Sequence, residues 1–300
     1  MEVGQIMAGQ FEIVGMRETA QVEPEQKKKW YEGKPVCSIV LLVLIVTGCL
    51  ACNLIMTKDP SYLDLKNYNV PPNQEFLFGT DTMGRDIFSM VWYGGRISLF
   101  IGIVSTVIST VIAVIYGTAS ACAPAWADHL LMRLTEVLLS VPELLLVIFV
   151  QAVLGEANVR SLSLVIGITS WMSISKVIRT EVRRLRNSEY VIAARCMGGS
   201  FFHILWRHLA PNFVSSVMFM VVMNVRSAIV AESTLSFMGI GLSVEVISWG
   251  SMLSLAEKAL LSNSWWMILI PGAFLVVTLL CITNLGNYLR RNVNRQERNL

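Results

Sequence analysis

Glu189-Tyr-Val-Ile-Ala-Ala-Arg-Cys-Met-Gly-Gly-Ser-Phe-Phe-His-Ile-Leu-Trp-Arg-His-Leu-Ala-Pro-Asn212 is the stretch on which the fold turns. It reads as a short helix, a glycine break, a second amphipathic helix and a proline-directed turn. Ala193 and Ala194 permit close approach of another surface, and Gly198-Gly199 allow a sharp reversal without Cβ strain. An apolar run lies on each side, about Leu162–Ile178 before it and Phe213–Ala231 after it. An arginine-bearing helical hairpin between two such runs has two physical readings. It docks in a groove on a partner protein with its apolar side chains as anchors, or it lies on lipid headgroups, held by its arginines. The residues alone leave both open.

Working outward, further apolar runs cover about Pro35–Met56, Ile97–Ala121, Leu130–Leu154 and Trp265–Leu285, which makes six predicted spans. The first run has 22 residues, or ~33 Å at 1.5 Å each, enough for a hydrocarbon core of ~30 Å. It is too long and too far along the chain for a cleaved signal peptide, and no A-x-A-like site follows it, so it reads as a retained anchor. Pro142 and Pro271 fall inside runs, where neighbouring helices can satisfy the freed carbonyls. Trp265 and Trp266 sit where an interfacial aromatic belt would.

Composition agrees. The 300 residues are 54% hydrophobic and only 15% charged, with a mean hydropathy of +0.58. Soluble domains run near a quarter charged, so the excess apolar surface must face lipid. Disorder, collagen and a small disulfide scaffold are excluded. A net charge of +3 is too small to imply nucleic acid. With a cytoplasmic N-terminus, inside segments hold 17 Lys and Arg against six outside, and Arg226 lies within a span. That bias predicts both termini in the cytoplasm.

The expected architecture is therefore an all-α integral membrane protein. It comprises a cytoplasmic tail over 1–34, a first transmembrane helix over 35–56 and an external loop over 57–95. A membrane core spans 96–289 with a cytoplasmic loop at 179–212, and a second tail covers 290–300. The external stretch Ser236–Ser264, rich in Gly and Ser, is expected to re-enter or cap the bundle. The six cysteines are scattered through apolar runs, and the C-x-x-C at Cys49–Cys52 has no βαβ context, so packing is the favoured role. His129, His203 and His208 have no partners at metal-ligand spacing.

The central segment resembles the EAA loop of ABC-importer permeases, a pattern of E-A-A, three residues, G, then about nine residues before an apolar-apolar-Pro. Ala193, Ala194, Gly198 and Pro211 match, whereas Ile192 stands at the motif's glutamate position and Glu189 lies three residues earlier. Phe78-Gly-Thr-Asp-Thr-Met-Gly-Arg-Asp-Ile-Phe-Ser89 and Tyr93-Gly-Gly-Arg-Ile-Ser-Leu99 resemble motifs of the dipeptide/oligopeptide/nickel permease subfamily. So do Met132-Arg-Leu-Thr-Glu-Val-Leu-Leu-Ser-Val-Pro142 and Glu232-Ser-Thr-Leu-Ser-Phe-Met-Gly-Ile-Gly-Leu242. Together these cover nearly everything from about residue 35 to residue 291.

The resemblance implies a type I (MetI-like) ABC importer permease, with the anchor helix ahead of a five-helix core. It implies a homologous second permease, two cytoplasmic ABC ATPases and an extracellular or periplasmic substrate-binding protein as partners, in a bacterial inner membrane. Glu189, Ala193, Ala194, Gly198 and Pro211 would then mark the element seated on an ATPase. The cargo would be di- or oligopeptides, or nickel and metal chelates. ATP and Mg²⁺ would be handled by the partners, with no cofactor bound directly.

No G-x-x-x-x-G-K-[ST], G-x-S-x-G or H-E-x-x-H is present, so the chain has no phosphate loop and no recognisable catalytic set. Gly79-Thr-Asp81 with Gly84-Arg85-Asp86 reads as an external turn built on aspartate-to-backbone hydrogen bonds rather than a nucleotide loop. Ionisable residues within spans face the bundle interior, which singles out Glu136, Arg226 and Glu232 as candidates for the translocation pathway, against the plainer reading of buried pairs. A secondary transporter should show inverted repeats and discontinuous helices, and neither is evident in the sequence. A membrane enzyme should show a catalytic set.

Overall fold

The computed structural model describes residues 35–197, 210–259 and 264–298. The predicted tail over 1–34 lies outside them, as does Gly198. The regular elements among the described residues are helical. Helix α1 (Val36–Leu50) is an apolar rod that runs almost directly into the one-turn α2 (Cys52–Ile55). The longest, α3 (Ile87–Cys122), has 36 residues, or ~54 Å of axis.

Helix α3 begins ten residues before the predicted second span. Asp86 caps it, its Oδ2 accepting from the Ser89 amide at 3.0 Å and from the Ser89 hydroxyl at 2.6 Å. Gly94 and Gly95, the end of the predicted 57–95 loop, lie inside α3 and serve close packing. A Cβ at Gly95 would stand 2.6 Å from both Cys49 Sγ and the Trp249 ring. Small residues on α3 let neighbouring backbones approach across its length, as membrane helix packing requires. The same holds at Gly117, where a Cβ would lie 2.6 Å from the Ser175 carbonyl oxygen.

Besides the first, which α1 and α2 divide at Ala51, two of the six expected spans are not continuous. The third is a pair, α4 (Ala125–Leu139) and α5 (Glu143–Leu154), bent by 91°. Pro142 lacks an N–H and pushes Val141 out of helical geometry, so the chain turns there instead of kinking through. The fourth is α6 (Val159–Thr169) and α7 (Met172–Arg186), bent by 44° at Ser170–Trp171. Asn158 and Ser161 close a reciprocal capping box at the start of α6. Helix α8 (Glu189–Cys196) follows α7 after a two-residue turn.

Helix α9 (Ala210–Phe237), α10 (Trp249–Ala259) and α11 (Trp266–Arg298) complete the order. Helices α3, α9 and α11 are long and apolar enough to cross a membrane. The two bent pairs pass the same test as broken spans, and α1 is a shorter apolar helix. The Ser236–Ser264 stretch folds back as α10, packing against α3, α9 and α11.

One core, the outer one in the predicted orientation, gathers around Trp249, which is fully buried and donates Nε1–H to the Val91 carbonyl at 3.0 Å. It joins Ile45, Met90, Ile229 and Met267 from α1, α3, α9 and α11. A second cluster sets Ile174, Ile178 and Val182 of α7 against Ala113 and Ala121 of α3. Of the two adjacent tryptophans, Trp265 is exposed as an interfacial residue would be. Trp266 is instead buried, donating to the Thr80 carbonyl at 3.1 Å.

Candidate functional site

The loop ahead of α3, predicted to be external, is a tied structure. Asp81 Oδ1 accepts from the amides of Met83 and Arg85, both at 2.8 Å, and Oδ2 accepts from Arg85 Nε at 2.7 Å. This is the aspartate-built turn that the sequence suggests. Gly79 and Gly84 supply the positive φ values, +77° and +74°, that the turn needs. The arrangement positions backbone; it is not a phosphate cradle.

Glu232 is fully buried near the outer end of α9. Its carboxylate accepts from four hydroxyls: Ser98 at 3.0 Å, Ser233 at 3.2 Å, Ser236 at 3.1 Å and Ser248 at 2.7 Å. The nest joins α3, α9 and the turn into α10 around one carboxylate, with donors enough to replace water.

Arg226, one and a half turns earlier on α9, is partly buried, and its Nε is buried with no hydrogen-bond partner. No ion pair joins it to another described residue. Its separation from Glu232 is six residues, about 120° around the helix, so the two do not meet. Glu136 is half-exposed on α4, 3.5 Å from Arg133 and 4.0 Å from Lys176 of α7.

Between the two helix breaks lies a cavity of ≈ 390 Å³, walled by Val141, Pro142 and Glu143 on one side. Ser170, Ser173 and Asn224 close the other. The Ser170 hydroxyl donates to Glu143 Oε1 at 2.8 Å, tying one break to the other. Asn224 donates to Ser109 of α3 at 2.6 Å. Residues Ser140 to Leu145 are all exposed around the α4–α5 break. Interrupted backbone at membrane depth is tolerated where it lines a wet cavity or a protein surface, not lipid. The hollow at the two breaks presents Glu143, Ser170, Ser173 and Asn224 among walls that are otherwise largely apolar.

On α8, Glu189 occupies the first turn and is exposed, Ile192 is 49% exposed, and the helix carries Ala193 and Ala194. Pro211 stands in the first turn of α9. Helix α8 hangs from α7, whose arginines converge on Asp128 of α4. That carboxylate is 1% exposed. It accepts from Ser120 at 2.7 Å, from Arg179 Nε and Nη2 at 2.5 and 2.6 Å, and from Arg183 Nη2 at 2.7 Å.

Asp128, Glu143 and the serines around Glu232 escape the sequence reading. For Asp128 a signal existed. It is an acid at the edge of an apolar run, facing two arginines spaced i,i+4 in the next long helix, the spacing that places both on one face. For Glu143 the signal was the helix-starting Pro-Glu pair, since acids favour the first turn.

The chain matches the family described as binding-protein-dependent transport system inner membrane component over residues 109–295. It is 35% identical to the dipeptide transport system permease protein DppC of Bacillus subtilis over 226 residues, 75% of this chain and 70% of that one. To the oligopeptide transport system permease protein OppC of the same organism it is 33% identical over 252 residues, 84% and 82% of the two chains. Discontinuous helices therefore do not mark a secondary transporter here. The chain belongs to the binding-protein-dependent transport inner membrane components: it is a multi-pass inner-membrane permease subunit of an ABC importer, and not itself an enzyme.

Proposed function

We propose that this permease carries peptides, and that the paired helix breaks form its half of the path. The observation that carries the substrate class is the match, over more than two thirds of each relative, to permeases named for dipeptides and oligopeptides. It favours peptides over the nickel and metal-chelate alternative. The cavity at the two breaks, which sets Glu143 and Asn224 among apolar walls, supports the placement of the path. Arg226 is assigned to the path or to the facing permease, because an unpaired arginine at mid-membrane costs at least ~2.5 kcal/mol against lipid. Glu232 and Glu136 flank the same route at its outer and inner ends.

The working complex pairs this chain with a second, homologous permease, two cytoplasmic ATPases that hydrolyse Mg-ATP, and an external binding protein. The segment 179–212, through Glu189, Ala193, Ala194, Gly198 and Pro211, seats on one ATPase. Both termini are cytoplasmic, and the six-span division with its 96–289 core holds if each bent pair crosses once and α1–α2 crosses as the anchor. The 17-to-six distribution of Lys and Arg supports this orientation.

The test is uptake. Cells lacking this subunit should lose import of radiolabelled di- and tripeptides and regain it with the intact gene. Unchanged peptide uptake together with lost nickel accumulation would reverse the substrate assignment.

A further inference from the structure

We propose that Asp128 is the positioning residue through which α8 moves the helices that wall the cavity. The inference rests on the coupling role proposed above for α8, and concerns how that role reaches the membrane. Three elements end on this one carboxylate: the last turn of α3 through Ser120, the first turn of α4, and two turns of α7 through Arg179 and Arg183.

The connections on either side are short and stiff. Helix α8 begins two residues after α7 ends, and the Ser188 carbonyl accepts from Val191 and Ile192, both at 3.1 Å. Arg186, at the end of α7, donates to the Ala121 carbonyl at 3.2 Å. From the clamp, α4 runs forward to the break at Ser140–Pro142, and α7 runs back to the break at Ser170–Trp171. The two half-helices that meet the cavity are thus joined away from it by one buried ionic knot, beside which the exposed Glu136–Lys176 pair at 4.0 Å is a weaker second link. A displacement of α8 passes along α7, and Asp128 obliges α4 to follow.

The arrangement also suits a joint that must hold under load. Arg179 grips with a two-toothed fork, the geometry that fixes angle as well as distance. The arginines keep part of their side chains in water, at 21% and 43% exposure, while the acid between them is sealed. A plain structural staple predicts that loosening the knot harms assembly and nothing else. A transmitting joint predicts an assembled complex that burns ATP without moving cargo, and couplings carried by such contacts are worth ~5–150-fold.

The test uses the complete complex in proteoliposomes with its binding protein and radiolabelled tri-alanine. Two quantities are read: peptide moved per ATP hydrolysed, and crosslinking of the exposed Cys196 of α8 to the ATPase, with the other five cysteines replaced. Asp128→Asn keeps the shape and removes the charge. It should retain the crosslink and the ATPase activity while transport per ATP falls at least about fivefold. Arg179→Lys, which keeps charge but loses the fork, should fall less.

An assembled Asp128→Asn complex with the wild-type ratio overturns the proposal. If that variant does not assemble, Arg183→Gln decides, since it removes one arm and leaves the Arg179 fork. A reduced ratio supports the joint and an unchanged ratio overturns it. Failure of Cys196 to crosslink in the otherwise wild-type chain defeats the coupling role of α8 itself, and this proposal with it.

Discussion

Two sealed carboxylates divide this molecule. Glu232 and Asp128 are 0% and 1% exposed, yet they are satisfied by opposite means. Glu232 sits among four serine hydroxyls with no cation of the described residues in its shell, where α3, α9 and α10 meet as unbroken helices. Asp128 is held by two arginines and one hydroxyl, where half-helices meet. A nest of neutral donors has no partner that prefers water, so its seam stays shut. An arginine clamp joins groups whose cationic ends already reach solvent, so water competes for it and the joint can be reset. The outer half reads as frame and the inner half as linkage.

The largest expected effect is at the frame. Glu232→Leu removes the shared acceptor and leaves the hydroxyls of Ser98, Ser236 and Ser248 buried without it. At roughly 1–3 kcal/mol for each orphaned group, the loss is at least ~3 kcal/mol and the subunit should disappear from the membrane fraction. Glu232→Gln keeps an acceptor and the shape, and should cost about 1–2 kcal/mol by detergent melting. A leucine variant that accumulates and melts like the wild type would break the division between the two halves.

Next comes Gly95→Val. The added Cβ meets Trp249 and Cys49 at 2.6 Å, and neither has room to retreat in the outer core. Overpacking of this kind costs about 1–3 kcal/mol, visible as a lowered melting temperature with transport per ATP unchanged in whatever assembles. A fall in that ratio would show that the outer core belongs to the linkage after all.

Arg226 lies between the two halves and sharpens the boundary. Its Nε is buried and unpartnered, so Arg226→Met should not destabilise the subunit and is expected to gain up to ~1 kcal/mol. If the proposed assignment of Arg226 to the path or the facing permease holds, peptide uptake should nonetheless be lost, with Arg226→Lys keeping part of it. Normal uptake by an assembled methionine variant would show the charge to be dispensable.

How much of this could be read without coordinates follows from how far each signal reaches along the chain. The apolar runs and the Asp81–Arg85 turn are local patterns: the turn stands, and the runs appear as helices, three of them long and apolar enough to cross a membrane unbroken. Pro142 announced a break, but proline inside a span is so often absorbed that the 91° bend was not predictable from it. At Ser170–Trp171 nothing announces one, because neither glycine nor proline is there. The clamp joins Asp128 to arginines 51 and 55 positions on, and the Glu232 nest recruits Ser98 from 134 positions back. Only the tertiary fold makes such neighbours. Trp266 shows the converse error: its position fits an interfacial belt, but the Thr80 carbonyl draws it inward.

The smallest expected effect compares two single hydrogen bonds of nearly equal length. Trp249 Nε1 to the Val91 carbonyl measures 3.0 Å in the outer core, and Ser170 to Glu143 measures 2.8 Å between the inner breaks. Trp249→Phe removes a fully buried donor from a carbonyl that keeps its helical partner inside α3, and the lost hydrogen bond should cost about 1 kcal/mol beyond the small change in packing. Ser170→Ala strands nothing, because Glu143 is exposed to the cavity and can accept from water instead. Its cost should stay below ~0.5 kcal/mol, within the range where a water-mediated contact replaces a direct one. Melting of the purified complex with each variant measures both. If the serine variant loses as much as the tryptophan variant, the space between the breaks is dry, and the reading of the cavity as a wet path fails with it.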